Sequence, residues 1–189
     1  MQDYIQGTPS EVTPAVMFVR MMNRVNGTNN PDPLQFNNVD AQLYGFDLDW
    51  AWQISTNWAA SGLLNYVRGE RDDIDDELYR ISPPNATVRL DYSTSNWSAG
   101  IESVLYSAQN KVSETNREAE TAGYGIVNIS ASWQATQNLQ LAAGVDNVLD
   151  KDFRGHLGGY NRAANPDIAK GERLPGYGTN VFARVNYTF

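Results

Sequence analysis

The sequence predicts an all-β fold: a transmembrane antiparallel up-and-down β-barrel segment of about seven or eight strands. Three observations predict it. Apolar and polar residues alternate with a period of two along stretches too long for most soluble strands. The connections between those stretches alternate strictly between short and long, and aromatic residues collect at the stretch ends, as in the girdles of outer-membrane barrels.

The N-terminal region contains either a strand stub at Met1–Ile5 or a hydrophobic hairpin arm at Ala15–Asn23. From Asp40 to Ile54 the pattern is clear. Tyr44, Phe46, Leu48, Trp50, Trp52 and Ile54 share one face, and Gly45, Asp47, Asp49, Ala51 and Gln53 share the other. Aromatics on one face and carboxylates on the other suit a strand between lipid and a wet lumen. The stretch Trp58–Gly69 reads as a strand whose faces the pattern does not assign. Next come Ala86, Val88, Leu90 and Tyr92 against Thr87, Arg89 and Asp91, then Trp97, Ala99 and Ile101 against Ser98, Gly100 and Glu102. Val127, Ile129, Ala131 and Trp133 alternate with Ile126, Asn128, Ser130 and Ser132, and Leu139, Leu141, Ala143 and Val145 with Gln140, Ala142, Gly144 and Asp146. The last strand sets Val181, Ala183, Val185, Tyr187 and Phe189 against Phe182, Arg184, Asn186 and Thr188, with Phe182 the one deviation.

Ile54–Asn57, Ser93–Asn96 and Gln134–Gln137 are tight polar turns, whereas Gly69–Pro84, Ser107–Thr121 and Asp150–Gly178 are connections of about 15 to 29 residues. Short and long connections therefore lie at opposite ends of the strands. Trp50, Trp52, Trp58, Tyr92, Trp97, Trp133, Tyr187 and Phe189 stand at strand ends, where a soluble barrel with an apolar interior has little use for them.

Composition narrows function by exclusion. With 14 Lys and Arg against 22 Asp and Glu, the net charge is −8 and no basic block is available to grip a phosphate backbone, so no nucleic-acid partner is expected. Cys is absent and His156 is the single His, which excludes thiolate chemistry and multi-His metal sites. His156 lies among Gly155, Gly158 and Gly159, and no nucleophile elbow is present, so the chain is expected to be no enzyme and to need no cofactor or resident metal. Glu70, Asp72, Asp73, Asp75, Asp76 and Glu77 offer carboxylates to a hard cation, but without the glycine and spacing of a calcium loop they read better as a solvated acidic connection.

Several segments together resemble the C-terminal part of the barrel of TonB-dependent outer-membrane receptors. They are Asn38-Val39-Asp40-Ala41-Gln42-Leu43-Tyr44-Gly45-Phe46-Asp47-Leu48, then Leu78-Tyr79-Arg80-Ile81-Ser82-Pro83-Pro84 followed by a strand with Arg89 and Tyr92. Gly144-Val145-Asp146-Asn147-Val148-Leu149-Asp150-Lys151-Asp152-Phe153 and Gly171-Glu172-Arg173-Leu174-Pro175-Gly176 complete the set ahead of the Phe-terminated strand. Val181, Val185, Tyr187 and Phe189 resemble the C-terminal signal read by the outer-membrane assembly machinery.

The resemblance implies a place in the bacterial outer membrane, in contact with its lipid, with the long connections outside the cell. A full receptor of this family has about 22 strands around a plug, so residues 1–189 are expected to be its C-terminal strands, lacking plug, coupling box and N-terminal strands. The implied function is TonB-dependent uptake of a siderophore-like metal chelate or similar nutrient, with the TonB system a partner of the full-length receptor only. Its small-molecule ligand would meet the loop residues Arg154, His156, Tyr160 and Arg162. Met17, Met21 and Met22 are soft-ligand candidates in a copper receptor of this kind, and packing residues otherwise. The alternative is a small self-closed eight-stranded barrel with a structural or adhesive role. An open sheet on its own is expected to aggregate through its free edges and apolar face.

Overall fold

The computed structural model describes residues 4–26 and 32–189. In chain order the elements are β1 (Tyr4–Pro9), α1 (Pro14–Val25), β2 (Leu34–Val39), β3 (Ala41–Gln53), β4 (Trp58–Arg71), β5 (Asn85–Ser93), β6 (Trp97–Tyr106), β7 (Tyr124–Gln134), β8 (Leu139–Asp146) and β9 (Asn180–Tyr187). β3 to β9 form a seven-stranded antiparallel meander, each strand paired with its neighbour in sequence, and β1 and β2 form a separate two-stranded sheet. β3 and β9 are the edges of the meander, so the sheet does not close on itself as the eight-stranded alternative requires.

Register assigns every face, because directly paired residues project to the same side. The row Leu90, Ile101, Ile129, Val145, Val181 crosses β5 to β9 as successive partners and lies on the lipid side. Its counterpart on the lumen side is polar: Arg89 faces Glu102, and Glu102 faces Asn128. Arg89 forms an ion pair with Asp91 at 2.8 Å, and Asn128 donates to Glu102 Oε1 at 2.9 Å. β4 is resolved by its partners. Phe46 opposite Tyr66 and Leu48 opposite Leu64 place its even positions on the lipid side. The pattern was illegible because Gly62 occupies that lipid face while Leu63 and Val67 point inward. The Trp50 ring covers Gly62, filling the place of the missing side chain, and Phe182 covers Gly144 in the same way on the lumen side, which accounts for the one deviation in β9.

The tight turns share one chemistry. Ser55 Oγ accepts the Trp58 N–H at 3.2 Å, Thr94 Oγ1 the Trp97 N–H at 3.2 Å and Thr136 Oγ1 the Leu139 N–H at 3.1 Å. Each is a hydroxyl mimicking a backbone acceptor, so that a four-residue turn closes without glycine. Trp52, Trp58, Tyr92, Trp97, Trp133 and Tyr187 all reach the lipid face at this end, with Trp58 and Tyr92 ring centroids 4.9 Å apart and Trp97 directly opposite Trp133.

Ala15–Asn23, expected as a strand or hairpin arm, is helical. Thr13 caps it by accepting the Val16 N–H at 3.2 Å and Pro14 occupies the first turn, where a missing N–H costs nothing. Of the expected stub, Tyr4 and Ile5 belong to β1, and residues 1–3 lie outside the described residues. Among the described residues no helix is long and apolar enough to cross a membrane; the crossing is made by strands. The Asp146-Asn147 motif has a structural role. Asn147, fully buried at φ 49°, accepts from Lys151 N–H and donates to the Lys151 and Tyr177 carbonyls, stapling the start of the long connection after β8.

Candidate functional site

The long connections do not spread into solvent. At the end of the sheet that bears the long connections, a small core of Val39, Ala41 and Leu78, flanked by Tyr4 and Ile81, seats the β4–β5 connection against the base of the β1/β2 hairpin. Glu118, in the β6–β7 connection, then joins three connections at once: its carboxylate accepts the Arg80 N–H at 3.0 Å and the Ser113 N–H at 3.1 Å and lies 3.2 Å from His156 Nε2. Asp76 anchors the same connection from another side by accepting from Ser113 Oγ, Glu114 N–H and Thr115 N–H. Burial alone would raise the Asp76 carboxyl, but the hydrogen bonds from Thr115, Glu114 and Ser113 outweigh it and hold the group below its ordinary value.

The β8–β9 connection is organised around Arg173. This buried guanidinium donates to the carbonyls of Gly155, His156, Gly158 and Ala119 and to Tyr160 Oη at 2.7 Å, and it stacks 4.7 Å from the Tyr160 ring centroid. Five donors in a fixed plane make Arg suited to gathering a ring of carbonyls.

Together these connections and the α1-bearing hairpin enclose a cleft of about 580 Å³. Arg80, Arg117, Arg162 and Arg173 line it against two acids, Asp32 and Glu118. Both acids are engaged: Asp32 pairs with Arg20 at 2.8 Å and Arg117 at 3.4 Å, with its side chain only 6% exposed. In a chain of net charge −8 this is a local excess of positive charge. Arg80 and Arg117 are also held at φ 62° and 49°, a conformation non-glycine residues adopt at a cost of about 1 kcal/mol or more and which concentrates at functional sites.

Three of the four loop residues singled out in the sequence, His156, Tyr160 and Arg162, line this cleft. Their surroundings differ. Arg162 is exposed and has no hydrogen-bond or ion-pair partner among the described residues. His156 has a side chain 1% exposed between Glu118 and Thr121 Oγ1 (3.0 Å), so it pins connections together, and Tyr160 is tied to Arg173. Arg154 lies in an adjoining recess of about 480 Å³, between Asp152 at 2.9 Å and Glu172 at 3.0 Å. Sequence reasoning missed Arg80, Arg117, Arg173, Asp32 and Glu118, because their convergence depends on contacts across 13 to 85 residues of chain that no local pattern reveals.

The acidic stretch does not converge. Asp73 pairs with Arg71, Glu77 with Arg68, and Asp76 caps the β6–β7 connection. Among the described residues no group of three His, Asp or Glu side chains gathers around one point. Val181, Val185, Tyr187 and Phe189 are all exposed at the free β9 edge.

The family model described as TonB dependent receptor-like, beta-barrel, matches residues 3–148. No curated protein sequence matches the chain. Among solved structures, the copper transporter OprC is similar at 28% identity and a TM-score of 0.81, over 100% of this chain and 27% of that one. The ferric yersiniabactin uptake receptor FyuA from Yersinia pestis is similar at 18% identity and a TM-score of 0.63, over 82% of this chain and 25% of that one. The ferric enterobactin receptor PfeA from Pseudomonas aeruginosa is similar at 22% identity and a TM-score of 0.60, over 84% of this chain and 24% of that one. The chain thus spans about a quarter of the length of the structures it matches.

Proposed function

The chain belongs to the TonB-dependent receptor β-barrel family of the bacterial outer membrane, and from that premise we propose that it supplies C-terminal wall and mouth strands of a receptor importing an anionic metal chelate. The observation that carries the substrate class is the arginine-rich cleft. Asp32 is already ion-paired and Glu118 is taken up by the Arg80 and Ser113 N–H groups, so a bare aquated cation meets no open carboxylate there, whereas the carboxylates or phenolates of a chelate find exposed guanidinium groups at Arg162 and Arg117. The polar lumen wall of Arg89, Asp91, Glu102 and Asn128 lies below the mouth and suits passage of a hydrated solute or contact with a polar plug. Import itself would depend on the TonB system, engaged by parts of a receptor other than these strands. The exposed β9 row ending in Phe189 would be the element read by the assembly machinery.

Calorimetric titration of the folded chain in detergent micelles tests the substrate class. Ferric citrate should bind, and Arg162→Gln should weaken it about tenfold, the effect of one charge-assisted hydrogen bond. Binding of cupric ion in the absence of any chelate, with none of ferric citrate, would overturn the reading.

A second reading has its own observation. α1 exposes Met17, Met21 and Met22, and the similar structure with the highest of these identities is a copper transporter. Thioethers favour Cu(I). If they hold it, Cu(I) quenching of the chain's Trp emission should disappear in a Met21→Leu, Met22→Leu variant; an unchanged titration removes this reading.

A further inference from the structure

The four walls of the cleft are not equally fixed. Those from the β4–β5, β6–β7 and β8–β9 connections are joined through Glu118, Asp76 and Arg173. The fourth is the hairpin of β1 and β2 that carries α1, whose Asn23 and Asn26 face the cleft. At its base this arm rests on the Val39, Ala41 and Leu78 core and on the Tyr79 N–H donating to Gln6 at 3.4 Å. Toward its tip, the ion pair of Asp32 with Arg117 ties it to the β6–β7 connection at 3.4 Å.

The two partners in that ion pair are placed asymmetrically. The Arg117 side chain is 61% exposed and lines the cleft, so a ligand can reach it. The Asp32 carboxylate is buried and has a second, shorter ion pair with Arg20 of α1, so it keeps a cationic partner when Arg117 turns away. The helix presents Asn23 and Asn26 to the cleft, Arg20 donates to the Ser10 carbonyl and pairs with Asp32 within the arm, and Met17, Phe18, Met21 and Val25 are exposed. The Asp32–Arg117 pair is thus an electrostatic tie between the arm and the β6–β7 connection, and an anion competes for Arg117 directly.

We propose that the Asp32–Arg117 ion pair is an anion-operated latch: an anionic ligand entering the cleft takes Arg117 from Asp32 and frees the α1-bearing arm to move against the three joined walls. This rests on the reading of the cleft as the ligand site and adds its regulation. The motion is a hinge at the hairpin base, where β2 passes into β3 at Asp40. Exchange of one acceptor for another at Arg117 leaves no charge unpaired, so the switch runs at small net cost.

The absence of native Cys makes the test direct. Spin labels at Arg24→Cys on α1 and Asn110→Cys on the β6–β7 connection report the arm's position by pulsed electron resonance in the full chain folded in micelles. Without ligand the distance distribution should be narrow, and ferric citrate should shift and broaden it. Asp32→Asn and, separately, Arg117→Gln should show the shifted, broad distribution with no anion present and no further response to one. If both variants keep the narrow distribution of the parent, the latch is overturned, whatever ferric citrate does. If they are released but calorimetry detects no ferric citrate binding, the ion pair stands as the tie that holds the arm, and its operation by an anion fails together with the cleft reading.

Discussion

Removing the Glu118 carboxylate should open the long connections while leaving the sheet intact. In Glu118→Ala the Ser113 N–H, in a residue with no solvent exposure, loses its acceptor at 3.1 Å, a cost of about 2 kcal/mol. The Arg80 N–H at 3.0 Å belongs to an exposed residue and can turn to water, and the His156 ring loses its neighbour at 3.2 Å; together these add about 1 kcal/mol. A total of about 3 kcal/mol raises the open population about 150-fold. Trypsin reads it, since Lys111 and Arg117 lie in the connection that opens, and cleavage tracks the open population when reclosing is fast. Glu118→Gln keeps an acceptor oxygen but sets an amide against a donor, and should accelerate cleavage roughly tenfold. Cleavage of Glu118→Ala within ~3-fold of the parent rate, with the far-ultraviolet circular dichroism of the sheet preserved in both, would refute Glu118 as the joint of the three connections.

Three further outcomes follow from the same geometry. Leu78→Ala, emptying a fully buried site under the hairpin, should cost the arm base about 3 kcal/mol, read as faster amide exchange in β1 and β2 with β5 to β9 unchanged. Gly62→Val places a Cβ 2.6 Å from the Thr87 carbonyl and 2.7 Å from the Trp50 ring, so refolding yield into micelles should fall, and a Trp50→Ala background should restore it only in part because the carbonyl remains. Asp76 is depressed in the folded state, so its contribution is present above the ordinary carboxylate value of about 4 and is lost as pH falls through the lower folded value. Amide exchange of Glu114 and Thr115, measured at each pH and corrected for its intrinsic pH dependence, should therefore rise only at pH below about 4, and Asp76→Asn should exchange fast at every pH.

Strands were legible wherever alternation coincided with a two-sided environment. Tyr44 to Trp52 and Val181 to Tyr187 read as strands because each successive residue meets either lipid or lumen, and the register places them so. β4 lost that signal at the residues where packing substitutes for composition, a glycine under an indole and two aliphatics turned inward. α1 was missed although Thr13-Pro14 announces a helix start, because the apolar run from Ala15 to Val19 dominated the pattern; its apolar face is broad and mostly exposed, unlike the narrow buried stripe of a soluble helix. At the mouth, residue type singled out Arg162 and Tyr160, and both line the cleft. It gave no hint that His156 is buried as a pin or that the arginines at 80, 117 and 173 join it, since that depends on three connections folding onto one another.

The aromatic belt has a consequence for the membrane this protein can inhabit. On the lipid face of β3 the span from Tyr44 to Trp52 covers eight steps along the strand, about 27 Å at ~3.4 Å per residue. Tilted at roughly 40°, that span rises about 21 Å along the bilayer normal. A band this short matches a thin hydrocarbon layer and leaves a thicker one underfilled, at a cost of fractions of a kcal/mol for every ångström of mismatch. The chain should insert faster into vesicles of short-chain lipid than of long-chain lipid, and that bias in thickness sorts it toward the thinner outer membrane before any loop meets a ligand.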